Sequence, residues 1–288
     1  MKNSALEIEA VENPQNLSDS VIQEIQIVSQ DIWSRMNSLG ELCQCPDCKK
    51  IYAAEDIFPA ELLAEKMVGE LIQEEFGDSA IPCPDKECGG MTKFLFGSQH
   101  VTDIRARYTK SVNAFLVLCR EKETGKIVGL EDGYIGNIRE AAFREFQHYN
   151  PLGIDHNGSL GDDWLDRLER EARAVLGYSP ERILTLSSIG IIEKYQSPFV
   201  LFGILKRFAE ILPENYAIPG ITEVDKRNTM YKLSLGIGGK CVSLNGNPAR
   251  MQQMYDSNLI VYPDPITMYK ERFTQGPKGF VKLIREYC

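Results

Sequence analysis

The sequence is short of histidine, of basic charge and of long apolar runs, and each shortage narrows what it can do. Its three histidines, His100, His148 and His156, lie far apart, and none has a partner at metal-ligand spacing. No Ser-His-Asp arrangement can be drawn from them. No apolar run approaches the roughly 18 residues of a membrane span, so no membrane partner is expected. The opening MKNSALEIEAVE has neither the basic start nor the apolar stretch of a secretory leader. A cytoplasmic protein with reduced thiols is the expectation. Lys and Arg number 32 against 41 Asp and Glu, a net charge of −9. General nucleic-acid binding is therefore not expected, because it depends on cations that neutralise phosphates. Internal repeats, low-complexity tracts, Walker loops and dinucleotide fingerprints are also missing. The Gly236-Ile237-Gly238-Gly239 cluster follows a helical stretch and reads as a helix stop and turn.

What is present is an ordinary globular composition, 43% hydrophobic and 25% charged, long enough for one large domain or two smaller ones. Four of the eight cysteines fall into two pairs, Cys45-Pro-Asp-Cys48 and Cys83-Pro-Asp-Lys-Glu-Cys88. A Cys-Pro-x-Cys turn points two sulfurs to one side and its backbone N–H groups toward them. Two such turns close a tetrahedral thiolate site that suits Zn²⁺ and leaves no open position for water, which makes it structural. Gly89-Gly90 follows the second pair, where such a turn commonly needs positive φ. The expected ligands are Cys45, Cys48, Cys83 and Cys88, with Cys43 a rival for Cys45. Cys119, Cys241 and Cys288 read as buried or free thiols.

Along the chain, residues 1–12 read as a strand or an unanchored arm, and Ser18–Ser20 offers the cap of an amphipathic helix to about Asn37. Val21, Ile25, Val28, Ile32 and Trp33 form its apolar face, and Gly40 ends it. Between the cysteine pairs, 59–77 reads as one amphipathic helix opened by Pro59 and stopped by Gly77. Two strand-like runs, 113–121 and 126–135, joined by Lys122–Gly125, make a hairpin. Residues 137–150 look helical, 150–158 a loop and 161–177 a helix with Asp162 and Asp163 at its positive end. A buried strand at 182–192, a helix at 199–212, a strand at 216–224, a helix at 227–236 and a strand at 258–263 follow. The order implies an α/β fold, of the α+β type with a mixed sheet covered by helices. It divides into an N-terminal strand and helix of the core (1–40), an inserted zinc-ribbon-like module (41–97) and a larger domain (98–288).

From about 111 to 265 this order resembles the GCN5-related N-acetyltransferase (GNAT) superfamily. The closest stretch is IGIIEKYQSPFVLFGILKRF, which is similar to that family's strand, phosphate loop and helix. Gln196 stands at the family's Arg/Gln position, with Tyr195 before it. Phe199 and Leu201 replace the two family glycines, and Ser197 takes another position that is often glycine. The resemblance implies a GNAT-like fold carrying the zinc module. It further implies acetyl-CoA or another acyl-CoA as donor, an amine as acceptor, free or on a protein, and acyl transfer between them. The donor-binding set it implies is Ile191, Gln196, Ser197, Phe199, Val200 and Leu201, with Asn228 on a later helix. The physical basis is a splayed strand end for the pantetheine amides and a helix start whose N–H groups meet the pyrophosphate. The replaced glycines leave three outcomes open: a reshaped coenzyme A site, a donor delivered by a carrier protein, or a non-catalytic binding module in which the ribbon recognises a partner.

Amide formation needs a group to take a proton from the amine and one to give a proton to the leaving thiolate. Glu193, at the end of the buried strand, is the expected base. Tyr231, in a helix resembling the family's Asn- and Tyr-bearing helix, is the expected acid. Glu223 and Asp225 are held in reserve for binding an amine.

Overall fold

The structure, a computed structural model, describes residues 5–36, 41–77, 79–94, 101–109, 113–139, 162–213, 218–225, 229–242, 257–265, 267, 271 and 276–287. In chain order its elements are β1 (Leu6–Val11), α1 (Asp19–Met36), β2 (Glu41–Gln44), β3 (Ile51–Ala53), α2 (Ala60–Glu65), α3 (Val68–Glu75), β4 (Lys93–Phe94) and α4 (Val101–Thr109). They continue with β5 (Asn113–Glu121), β6 (Ile127–Gly136), α5 (Asp162–Leu176), β7 (Ile183–Ile191), α6 (Pro198–Ile211), β8 (Gly220–Asp225), α7 (Thr229–Gly236), β9 (Lys240–Val242), β10 (Ser257–Tyr262) and α8 (Gly276–Tyr287).

Among the described residues seven strands form one mixed sheet in the order β1-β5-β6-β7-β8-β10-β9, and β3-β2-β4 form a separate three-stranded sheet. The mixed α/β architecture is the one the sequence implies. Residues 6–11 are a strand, paired antiparallel with β5 from Leu6↔Glu121 to Val11↔Leu116. The hairpin is β5–β6, closed where Gly125 N donates to Glu121 O. Among the described residues of the large sheet, β7–β8 is the one parallel pair.

Helices cover both faces. On one, Ile22, Ile25, Val28 and Ile32 of α1 and Ile104 and Tyr108 of α4 pack on Leu116, Leu118, Ile127 and Leu130. On the other, Val200, Phe202, Ile204, Leu205, Phe208 and Ala209 of α6 pack on Val117, Cys119, Val128, Leu184 and Leu186. Each large apolar side chain so buried stabilises by roughly 1.5–3 kcal/mol, so α6 is fixed by its apolar face rather than by helix propensity. Helix α8 covers α6, with the Phe280 and Phe202 rings 5.6 Å apart.

The single helix expected over 59–77 is in fact two. Lys66 and Met67 are extended, at φ −123, ψ 156 and φ −68, ψ 145, and separate α2 from α3. The break is set by docking. Helix α3 lies so close to α1 that a Cβ on Gly69 would stand 2.3 Å from Ile27 O. The carboxylate of Asp31 in α1, 3% exposed, accepts the first N–H of α3 from Val68 at 2.9 Å. Met67 N donates back to Glu70 Oε2, 3.1 Å away, which closes the start of α3. Helices α4 and α8 and strand β9 were not anticipated. Of the stretch 137–150 expected to be helical, 140–150 lies outside the described residues, as does the loop at 150–158.

Candidate functional site

The one parallel pair opens almost at once. Strands β7 and β8 are in register only at Leu184↔Gly220 and Thr185↔Ile221, although β7 continues to Ile191 and β8 to Asp225. Thr222 Oγ1 still reaches Leu186 O, at 2.9 Å. Beyond it no pairing between the two strands occurs among the described residues. The opening coincides with an irregularity on the other side of β7. Between Asp132↔Ser188 and Gly133↔Leu186 the β6–β7 register shifts by one residue, which places a bulge at Ser187. Such a bulge bends its strand, and here the bend falls where β7 leaves β8.

The loop after β7 is braced from both sides. Tyr195 O–H donates to Glu121 at the hairpin turn, and this hydrogen bond is the first of the influences that hold the Glu121 carboxyl below its ordinary range. Gln196 Nε2 donates to Ile191 O, the last carbonyl of β7, at 3.1 Å. Ser197 caps α6, its Oγ accepting from Val200 N at 3.2 Å. Val200 is buried, Leu201 half-buried, and Phe199 is 48% exposed. Asn228 lies outside the described residues.

The two expected catalytic groups sit apart. Glu193 is exposed in the short turn Glu193–Tyr195, on the rim of a groove of about 630 Å³ between α2–α3, the hairpin turn and this loop. Leu63, Lys66, Met67 and Glu121 line it with Glu193, and Tyr231 does not. Tyr231 is half-buried in α7 against the main core. Glu223 and Asp225 lie on β8, with their side chains outside the described residues.

Two acids unnoticed in the sequence are buried in the middle of the sheet. Asp132, 1% exposed, accepts from Arg107 Nη1 at 2.9 Å and from Tyr108 O–H at 3.1 Å through Oδ2. Its Oδ1 is buried without a hydrogen-bond partner among the described residues. Arg107 also points at Ser188 Oγ, 3.4 Å away, just past the bulge. Glu131, 2% exposed, faces the opposite side of the strand, and its Oε2 likewise has no hydrogen-bond partner among the described residues. Burial, and then the charge of Asp132, push the Glu131 carboxyl well above its ordinary range. The signal was available: Glu131-Asp132 interrupts an otherwise apolar strand, and buried charge is costly without partners.

The four expected cysteines come together. The sulfurs of Cys45, Cys48, Cys83 and Cys88 all lie within 4.8 Å of one another, with Cys45–Cys88 at 3.5 Å and Cys48–Cys83 at 3.7 Å. A tetrahedral zinc with Zn–S of about 2.3 Å places its sulfurs about 3.8 Å apart, so the cluster has the right size for a metal ion. Backbone supports it as the turn chemistry requires. The N–H of Lys50, with smaller help from Tyr52 and the neighbouring thiols, brings the Cys48 thiol down to about 7. Cys88 receives the N–H of Gly90, but its thiol neighbours and burial outweigh that bond and raise it to about 12. Gly89 has φ 64, and a Cβ on Gly90 would meet Asp47 Oδ2 at 2.3 Å and Cys45 Sγ at 3.1 Å. Cys43 is not in the cluster. It is buried in β2, with its thiol raised to about 11 by burial. Tyr52, missed in the sequence, brings its hydroxyl to 3.2 Å from Cys83 Sγ and 3.7 Å from Cys48 Sγ. Lys50 Nζ and Asp85 Oδ2, 2.6 Å apart, join the two turns at the surface. Of the other cysteines, Cys119 is buried and raised to about 11 by burial, Cys241 is exposed, and Cys288 lies outside the described residues. No described helix is long and apolar enough to cross a membrane.

No family model and no curated protein matches the chain. Among solved structures it is similar to Arabidopsis thaliana NAA60 in complex with a bisubstrate analogue, at 11% identity and TM-score 0.34 over 57% of this chain and 82% of that one. It is also similar to mosquito arylalkylamine N-acetyltransferase like 5b, at 13% identity and TM-score 0.34 over 56% and 76%. A third similar structure is the AHL synthase LasI, at 10% identity and TM-score 0.38 over 90% of this chain and 89% of that one. With overlaps this low, the functional reading rests on the chain's own topology.

Proposed function

We propose that the chain is an acyltransferase of GNAT type that moves an acyl group from a phosphopantetheine thioester, such as an acyl-CoA, to an amine. The observation that carries this reading is the opening of β7 from β8 after Thr185. An extended arm bearing amides can lie against such a strand edge as an added strand, with its thioester near the bulge. The amine nitrogen attacks the thioester carbonyl, the C–N bond forms, the C–S bond breaks, the amine proton passes to a base and the thiolate takes a proton from an acid. Glu193 is the proposed base and Tyr231 the proposed acid. Asp132 is the rival carboxylate, because it is held rigidly beside Ser188 with one oxygen unused.

In this reading Cys45, Cys48, Cys83 and Cys88 hold a structural zinc. Four thiolates fill its coordination, so it takes no part in acyl transfer and supplies folding free energy to residues 41–94. Incubation with acetyl and longer acyl thioesters and a panel of primary amines, followed by thiol release and product mass, tests the activity. Amine-dependent thiol release with an amide product supports it. Absence of both with every donor and amine removes it.

A further inference from the structure

Recognition of coenzyme A by a helix start depends on unpaired N–H groups or cations that converge on its pyrophosphate. Here that supply is largely consumed. Tyr195 N donates to Ile192 O (3.0 Å), Gln196 N to Glu193 O (3.1 Å), and Leu201 N to Ser197 O (3.0 Å). Val200 N is taken by Ser197 Oγ, and Pro198 has no N–H. Between Tyr195 and Leu201 this leaves the amides of Ser197 and Phe199. The side chains add little: Gln196 is committed to Ile191 O, and Lys194, the loop's one cation, faces Glu121 at 3.7 Å and lies over the Tyr195 ring. Phe199 puts an exposed apolar ring at the helix start, where a pyrophosphate would need polar contacts.

We infer that this site reads the phosphopantetheine arm of its donor and draws no affinity from a nucleotide beyond it. Two amides suffice for one phosphate group, and the open edge of β7 serves the arm. The donor class is thus an acyl phosphopantetheine thioester, whether free, part of coenzyme A, or attached to a carrier protein. The inference rests on the acyl-transfer reading and makes it specific.

Calorimetry on the full chain compares acetyl-CoA, acetyl-phosphopantetheine, adenosine bisphosphate and an acyl carrier protein bearing the same acetylated arm. The two small thioesters should bind within about threefold of each other, and adenosine bisphosphate should be silent. A larger preference for acetyl-CoA, or binding of the bisphosphate, overturns the inference and leaves acyl transfer standing. Silence with every thioester overturns the acyl-transfer reading and the inference with it. Tighter binding of the carrier than of the free arm assigns the source to a carrier protein, and equal binding assigns it to a free thioester; both results uphold the inference. Ser197→Gly keeps a tolerated cap residue while freeing the Val200 amide. It should shift the affinity ratio toward acetyl-CoA, and an unchanged ratio counts against the capped amide as the reason.

Discussion

Substituting Gly69 by Ala sets two effects of opposite sign against each other. In a helix, Ala is favoured over Gly by about 1 kcal/mol, so local propensity alone makes the variant more stable. In this structure the added Cβ stands 2.3 Å from Ile27 O, 2.7 Å from Ile27 Cα and 2.8 Å from Ile27 C, all backbone atoms that cannot rotate away. Helix α3 must retreat from α1 by about 1 Å to restore ordinary contact, an overpacking cost of about 1–3 kcal/mol. The same retreat stretches the 2.9 Å bond from Val68 N to Asp31, a cap worth about 1 kcal/mol whose carboxylate is buried. The net expectation is a loss of about 1–3 kcal/mol after the propensity gain is subtracted. Urea unfolding with the midpoint and slope fitted separately measures it. A variant as stable as the parent, or more so, refutes the tight docking of α3 on α1.

The cysteine cluster should carry one zinc per chain; Cys48→Ser should lose it and Cys43→Ser should keep it, as read by elemental analysis. Glu193→Gln should lower kcat on the order of a hundredfold with no change in melting temperature if Glu193 is the base. Asp132→Asn should instead destabilise by roughly 3 kcal/mol, because it leaves Arg107 without its buried counter-charge. If Asp132→Asn costs rate and Glu193→Gln does not, the base is reassigned. Glu131 has a carboxyl raised above its unfolded value of 4.5, so stability present below that pH is lost as pH rises toward its folded value. Glu131→Gln cannot ionise and should flatten that decline; parallel stability curves for the two proteins would refute the upward shift of the Glu131 carboxyl.

The parts of this molecule that are governed by local chemistry could be read from the sequence. The cysteine pairs follow from turn geometry, and the β5–β6 hairpin from a short turn between two strand-like runs. Ser197-Pro198 carries a plain helix-start signal, a cap residue followed by proline at the first helical position, and α6 begins there. The break between α2 and α3 was hidden, because it answers to Ile27 and Asp31 on another helix. The bulge at Ser187 and the opening of β7 were likewise invisible, since register belongs to a pair of strands and not to either alone. Asp132 was only half legible: an acid inside an apolar strand is a signal the sequence carries, but its partners Arg107 and Tyr108 come from α4, a helix the sequence did not reveal.

The claim that β7 offers its open edge to a donor arm is tested most directly by hydrogen exchange of the full chain with and without saturating acetyl-phosphopantetheine. Binding should slow exchange at Leu186–Ile191, in the amides directed away from β6, and leave β5 unchanged. Thioester binding that leaves Leu186–Ile191 unprotected, with any slowing confined to the Glu193 groove, contradicts it.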